Sequence, residues 1–222
     1  MKLGLLYIVP TPIGNLGDLT FRAKEVLETV DLIACEDTRH SGILLKHYKI
    51  DTPKLSFHDH SGQAKLIKLI DYLENGKNVA LISDAGTPGI SDPGYNLIQA
   101  VLEKGIQVIP LPGPSAVITA LSASGLPTEK FLYLGFPPAK KGRQTFFKQV
   151  AESKHTVVFY ESPHRLKKSL QQLGEQVSGT VQVSIAKELS KIHETFYRGT
   201  LSEVITLLPE NIKGEYVVMV KP

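Results

Sequence analysis

Along the first half of the chain, short apolar runs alternate with stretches whose apolar residues recur every three to four positions. The runs at 5–9, 32–35, 79–82 and 107–110, with a shorter one at 54–57, have strand length. Near-continuous apolar strands of this kind are the pattern of a sheet covered on both faces. The intervening segments 19–29, 42–48, 63–74 and 95–103 carry helical spacing; in 63–74 it points Leu66, Ile67, Leu69, Ile70 and Leu73 inward. Strict alternation of strand and helix predicts a parallel α/β sheet.

A further helix at 115–123 precedes SGLPTEK at 124–130, where Gly and Pro break the pattern and charge rises. The chain is therefore read as two α/β domains, 1–123 and 124–222. The second has strands at 131–134, 156–160, 181–187, 195–198 and 216–220, with helices near 142–151, 163–175 and 200–208. Only seven residues separate 187 from 195, too few for a parallel crossover, so a mixed sheet is expected there.

The polar residues gather where the first sheet's strands end, which in a parallel sheet is the ligand-binding edge. Pro10-Thr-Pro-Ile-Gly-Asn15 follows the first strand, Glu36-Asp-Thr-Arg39 the second, Ser83-Asp-Ala-Gly-Thr-Pro88 the fourth and Leu111-Pro-Gly-Pro-Ser-Ala116 the fifth. The fourth loop extends to SDAGTPGISDPG, more than a connector needs; its glycines permit close backbone approach and its prolines stiffen the path. No GxGxxG or GxxxxGK[ST] is present. Backbone amides, the carboxylate of Asp84, the hydroxyls of Thr87 and Ser115 and the single cation Arg39 suit a zwitterionic, hydroxylated ligand such as S-adenosylmethionine better than a triphosphate.

Composition narrows the setting. The 222 residues contain one cysteine, Cys35, which excludes intrachain disulfides and cysteine-based zinc sites and reads as a packed core thiol. His58-Asp-His60 lacks a third ligand in sequence, and no metal is expected. No signal peptide or membrane-length apolar run is evident, which predicts a cytoplasmic protein without a membrane partner. The net charge of +3 is uneven: 138–168 carries eight basic residues against Glu152 and Glu161. Within it PAKKGR at 138–143 reads as a loop, where Lys140, Lys141 and Arg143 are free to reach a polyanion.

The segments LYIVPTPIGNLGDLTFRAKEVLETVDLIACEDTRHSGILLKHYKI, SDAGTPGISDPG, PGPSA, FYESPHRL and AKELSKIHETFYRGTL together resemble the 16S rRNA (cytidine 2'-O)-methyltransferases of the tetrapyrrole methylase superfamily, over essentially the whole chain. The resemblance implies a class III methyltransferase fold: two α/β domains, S-adenosylmethionine in the cleft between them, 16S rRNA of the small ribosomal subunit as substrate, and commonly a homodimer. It implies cofactor contacts at Ile13, Gly14, Asp84, Gly86, Thr87, Ser115 and Ala116, and in the second domain at Leu134 and Ala186. Family members often continue for roughly fifty further residues, the size of a small module, whereas this sequence stops at Pro222.

A ribose 2'-hydroxyl is a poor nucleophile until its proton leaves, so an aligned base or a stabilising cation is required. Glu36, Asp37, Glu161 and Lys187, with Glu188 beside it, are the candidates, and sequence leaves their order open. Arg39, His60, Arg165 and Arg198, with the three basic residues of PAKKGR, are the expected substrate contacts. Asp37 reads alternatively as a helix N-cap, and Ser162 with Pro163 as a helix start. Two rival readings stay open: a tetrapyrrole or diphthine methylase of the same fold, and an RNA-binding protein that merely retains the cofactor pocket.

Overall fold

The computed structural model describes residues 2–58 and 62–222. These form two units, Met1–Ser115 and Ala116–Pro222. The division thus falls before the helix at 116–122 and not after it, because that helix packs on the last strand of the second unit.

In the first unit, strands β1 (Leu5–Ile8), β2 (Leu32–Cys35), β3 (Lys54–Ser56), β4 (Val79–Ile82) and β5 (Gln107–Pro110) alternate with helices α1 (Phe21–Thr29), α2 (Thr38–His47), α3 (Gln63–Glu74) and α4 (Tyr95–Glu103). The strands form one sheet in the order β3-β2-β4-β1-β5, and every pair is parallel. Alternation along the strands sends Ile33, Cys35, Ala80 and Ile82 to a core with Leu27 of α1 and Leu45 of α2. Leu6, Ala34, Val79 and Leu81 meet Leu69 and Leu73 of α3 and Leu97 and Val101 of α4 on the other face. Both faces are covered, as apolar strands demand. Ile67 is the exception to the inward pattern expected of α3: it is exposed, because the arc of Leu66, Leu69 and Leu73 already fills the face that packs.

Helix α2 begins four residues earlier than its apolar spacing suggests. Asp37 caps it, its carboxylate accepting the Arg39 N–H at 2.8 Å, and a capped start lets a polar first turn fold before the apolar stripe begins.

The second unit holds α5 (Ala116–Ser122), β6 (Phe131–Tyr133), α6 (Arg143–Glu152), β7 (Thr156–Glu161), α7 (Leu166–Gly174), β8 (Gln182–Lys187), β9 (Thr195–Thr200), α8 (Leu201–Leu207) and β10 (Tyr216–Lys221). Its sheet runs β6-β7-β10-β8-β9. β6 and β7 are parallel and the other pairs antiparallel, the mixed sheet that the short 187–195 connection requires. One core joins Phe146 and Phe147 of α6, Leu166, Leu170 and Leu173 of α7 and Leu201 and Val204 of α8 to Val157, Phe159, Ile185 and Val218 of the sheet.

Candidate active site

The topology creates a crevice at one edge of the first sheet. β1 and β4 are neighbours, yet β1 leads to α1 on one face and β4 leads to α4 on the other. Adjacent strands whose connections leave in opposite directions open a gap at their carboxyl ends, where ligands of α/β sheets bind. The four strand-end loops meet there. Thr11 and Gly86 exchange two backbone hydrogen bonds of 2.9 Å, the Thr11 hydroxyl donates to the Ser83 carbonyl at 3.0 Å, and the Thr87 hydroxyl donates to the Pro114 carbonyl at 2.9 Å. Asp84 accepts the Asp37 N–H at 3.3 Å. Loops after β1, β2, β4 and β5 are thereby laced together through the one after β4, and the length of SDAGTPGISDPG has its reason: that segment touches three others.

Two glycines make this possible. Gly86 sits at φ +83° with Ile13 beside it, and a Cβ on Gly113 would lie 2.7 Å from the Pro10 ring. Ile13 is buried, Gly14 exposed, and Asp84, Thr87 and Ser115 are half-buried around the same edge; Ala116, also half-buried, begins the second unit.

The charge at this edge is negative. Asp92, at the end of the long loop, has its pKa pushed up to about 6 by burial first and then by the neighbouring charges of Glu36 and Asp84, against a hydrogen bond from Ser83 that lowers it. Asp92 escaped the sequence reading because Ser91-Asp-Pro-Gly94 resembles a turn; the one available signal is that Ser91-Asp92 repeats Ser83-Asp84. Asp37 behaves oppositely. Its carboxylate chelates the Arg39 guanidinium at 3.2 and 2.7 Å, which together with the Arg39 N–H holds it well below the usual carboxylate range. Arg39 is itself neutralised by this pair. An edge with Glu36, Asp84 and Asp92, whose arginine Arg39 is paired with Asp37, offers acceptors to a cationic, hydroxylated ligand and repels a polyphosphate.

In the second unit two expectations are corrected. Glu161 closes β7 as expected, but its side chain is fully buried and each oxygen of its carboxylate has two hydrogen-bonding neighbours, with the Ser169 hydroxyl shared with the Arg165 carbonyl. One oxygen takes the Ser162 N–H at 2.8 Å and Arg165 at 2.9 Å; the other takes the Ser169 hydroxyl and Arg143 at 3.3 Å. A carboxylate enclosed in this way by two guanidiniums is built as a strut, in a place that the base expected from sequence would not occupy. Arg143 is likewise not a free cation of the PAKKGR loop. It is 6% exposed and spends its nitrogens on Glu161, Ser169, Gln172 at 2.6 Å and the Pro138 carbonyl at 3.0 Å. Residue 143 opens α6, whose first turn packs inward, and a buried guanidinium must find acceptors. Ser162 does not cap α7; Arg165 stands at that position and 162–165 form a turn.

The remaining residues fall into place individually. Lys140 and Lys141 are exposed. Arg165 also donates to the Pro137 carbonyl at 3.2 Å. Lys187 ends β8 opposite Tyr216, which pairs on its other side with Glu161, so the two strand ends share one sheet edge. Glu188 belongs to a local clamp with Lys191 and the Glu215 N–H, each at 2.9 Å. Arg198 lies over Phe196 and holds the Ala123 carbonyl at 2.6 Å. Leu134 packs against the core and Ala186 is buried. His60 lies outside the described residues. Among the described residues no group of three or more His, Cys, Asp or Glu could hold a metal ion, and no helix is long and apolar enough to cross a membrane.

The sequence and the fold match known proteins. Residues 5–205 match the family model of the tetrapyrrole (corrin/porphyrin) methylases. The chain is 52% identical over 220 residues to the ribosomal RNA small subunit methyltransferase I of Vibrio cholerae, covering 97% of this chain and 76% of that protein. It is 49% identical to the protein of the same name from Synechocystis, covering 98% and 79%. Diphthine synthase superposes with a TM-score of 0.75 over 98% of this chain and 89% of that one, at 12% identity, a likeness of fold alone. With a family model spanning nearly its whole length and relatives half identical to it, the chain belongs to the tetrapyrrole methylase family.

Proposed function

We propose that the protein transfers a methyl group from S-adenosylmethionine to small-subunit ribosomal RNA, at the 2'-hydroxyl of a cytidine ribose. The observation that carries this reading is the 52% identity over 97% of the chain to a methyltransferase named for that RNA, against 12% to the diphthine enzyme of the same fold. The donor set at the first sheet's edge fits the cofactor: Asp84 for an ammonium or ribose hydroxyl, the amides around Gly86 and Ser115 for its polar edges, Ile13 for its apolar surface. When bound there, S-adenosylmethionine supplies a methyl already activated on a sulfonium. The chain's task is then to orient the acceptor hydroxyl and take its proton.

Asp37 is too strongly stabilised as a carboxylate to be an effective base, and its geometry is that of a cap. Asp92, with a pKa near 6, is matched to accept a proton near neutrality, and Glu36 is its nearest alternative. Lys140 and Lys141 keep the role of phosphate contacts, and Lys187 that of a cation toward the substrate. A ribosomal substrate places the reaction in the cytoplasm, and the family resemblance supports a homodimer, which light scattering measures directly.

The deciding experiment is tritium transfer from S-adenosylmethionine to small subunits that lack the modification, followed by mapping of the labelled nucleotide. A ribose product resists alkaline cleavage at one linkage. Label on a base defeats the 2'-O assignment, and label on a precorrin but not on RNA defeats the RNA substrate.

A further inference from the structure

We propose that Phe136 and Tyr160 form a stacking platform for one nucleobase of the RNA substrate, with Lys140 and Lys141 of the same loop holding the adjoining phosphates; the proposal rests on the RNA-methyltransferase reading. Phe136 is 54% exposed, although its ring packs at 5.2 Å and 55° on Tyr160. Tyr160 in turn meets Tyr133 edge-on at 5.5 Å. Tyr133 pairs with Val158 in the parallel register of β6 and β7, so it shares a sheet face with Tyr160, opposite the face on which Val157 and Phe159 enter the core beneath α6 to α8. The aromatic cluster is therefore not part of that core.

The loop that carries Phe136 is fixed from beneath. Gly135 at φ +65° and Gly142 at φ +86° turn its two ends through left-handed conformations. Between them, the Pro137 and Pro138 carbonyls accept hydrogen bonds from Arg165 and Arg143, both anchored on Glu161. Burying a carboxylate and a guanidinium is costly and is offset here by complete pairing. Its consequence is a preorganised loop that loses little entropy when a ligand settles on it. Glu161 is in this sense a positioning residue for the loop.

The occupant follows from the chemistry at the surface. Single-stranded nucleic acid is bound by aromatic side chains that take the bases and cations that track the backbone. Lys140 and Lys141 are exposed and enter none of the ion pairs among the described residues. S-adenosylmethionine has a base but no phosphate, so lysines four and five residues from the ring favour RNA as the ligand over the cofactor's adenine.

The test compares the parent chain with Phe136→Ala, Phe136→Trp and Lys140→Ala/Lys141→Ala. The probe is a labelled single-stranded small-subunit RNA fragment containing the nucleotide mapped by methyl transfer, titrated at several salt concentrations, with S-adenosylmethionine affinity measured in parallel by calorimetry. Phe136→Ala weakens RNA binding about tenfold, the usual cost of one lost base stack, at every salt concentration. Phe136→Trp stays within about twofold of the parent, as an exposed aromatic replacement does. The lysine pair flattens the salt dependence instead, and cofactor affinity is unchanged in all three. RNA binding by Phe136→Ala equal to the parent's overturns the platform, and so does an equal loss of cofactor affinity, which would assign the ring to adenine. A parent that binds cofactor but no RNA removes the RNA-methyltransferase reading itself, and the platform with it.

Discussion

Asp92 and Glu161 are carboxylates in strand-end turns, removed from water in opposite company. Asp92 faces Glu36 and Asp84, so burial raises its pKa to about 6 from 3.8. Between about pH 4 and 6 the folded chain then binds more protons than the unfolded one, and stability falls as pH rises through that window. Asp92→Asn abolishes this fall: urea denaturation finds the variant more stable than the parent above about pH 7 and indistinguishable near pH 4. If Asp92 is also the proton acceptor, kcat/KM rises through about pH 6 in the parent and loses that limb in the variant. Glu161, by contrast, is surrounded by Arg143, Arg165 and Ser169. Glu161→Ala strands a buried guanidinium and costs about 3–5 kcal/mol in the same measurement; a loss below about 1 kcal/mol would mean that water reaches Arg143.

At the scale of elements, the edge of the first sheet is assembled by helix starts and close loop contacts. Asp37 caps α2, and this separates a structural role from a catalytic one. Asp37→Asn keeps the cap and stays close to the parent's stability, whereas Asp37→Ala loses the cap and is destabilised. Full methyl transfer by Asp37→Asn is the expected result, and a loss of several hundredfold would restore Asp37 as base. Gly113 tests the loop lacing. A methyl there would lie 2.7 Å from Pro10, so Gly113→Ala pushes the loops after β1 and β5 apart at a cost of about 1–3 kcal/mol. Calorimetry on this variant shows weakened S-adenosylmethionine binding with an RNA affinity equal to the parent's.

For the molecule as a whole, the small net charge of +3 conceals a division between an acidic strand-end edge in the first unit and exposed lysines in the second. The division predicts which changes salt will read. Lys140→Ala/Lys141→Ala lowers the magnitude of the logarithmic salt slope of RNA binding by about 1.4, or 0.7 per phosphate contact on a single strand. Arg143→Ala, its neighbour in sequence, acts through stability and leaves the slope of the remaining folded protein as it was. Cofactor binding stabilises the folded state by mass action, by about 2.7 kcal/mol at a hundred times Kd, and a thermal-shift titration measures it.

The sequence by itself determined the elements and their class. Periodicity is a local property: the apolar runs of β2 and β4 and the helical repeat of α3 emerge at the residues expected, because covered strands and amphipathic helices write their burial into nearest neighbours. The gathering of four loops at one edge was legible for the same reason, since each follows a strand and parallel strands end together. Tertiary structure decided the roles within those loops. Glu161 and Arg143 read as base and free cation from the residues around them, and only packing brought Glu161, Ser169 and Gln172 within reach of Arg143, 18 to 29 positions away in the chain. Asp92 was not singled out in the sequence, and only folding set it beside Glu36 and Asp84. Whether a charged side chain is a reagent, a cap or a strut depends on which distant groups share its low-dielectric surroundings, and a one-dimensional pattern carries no record of those distances.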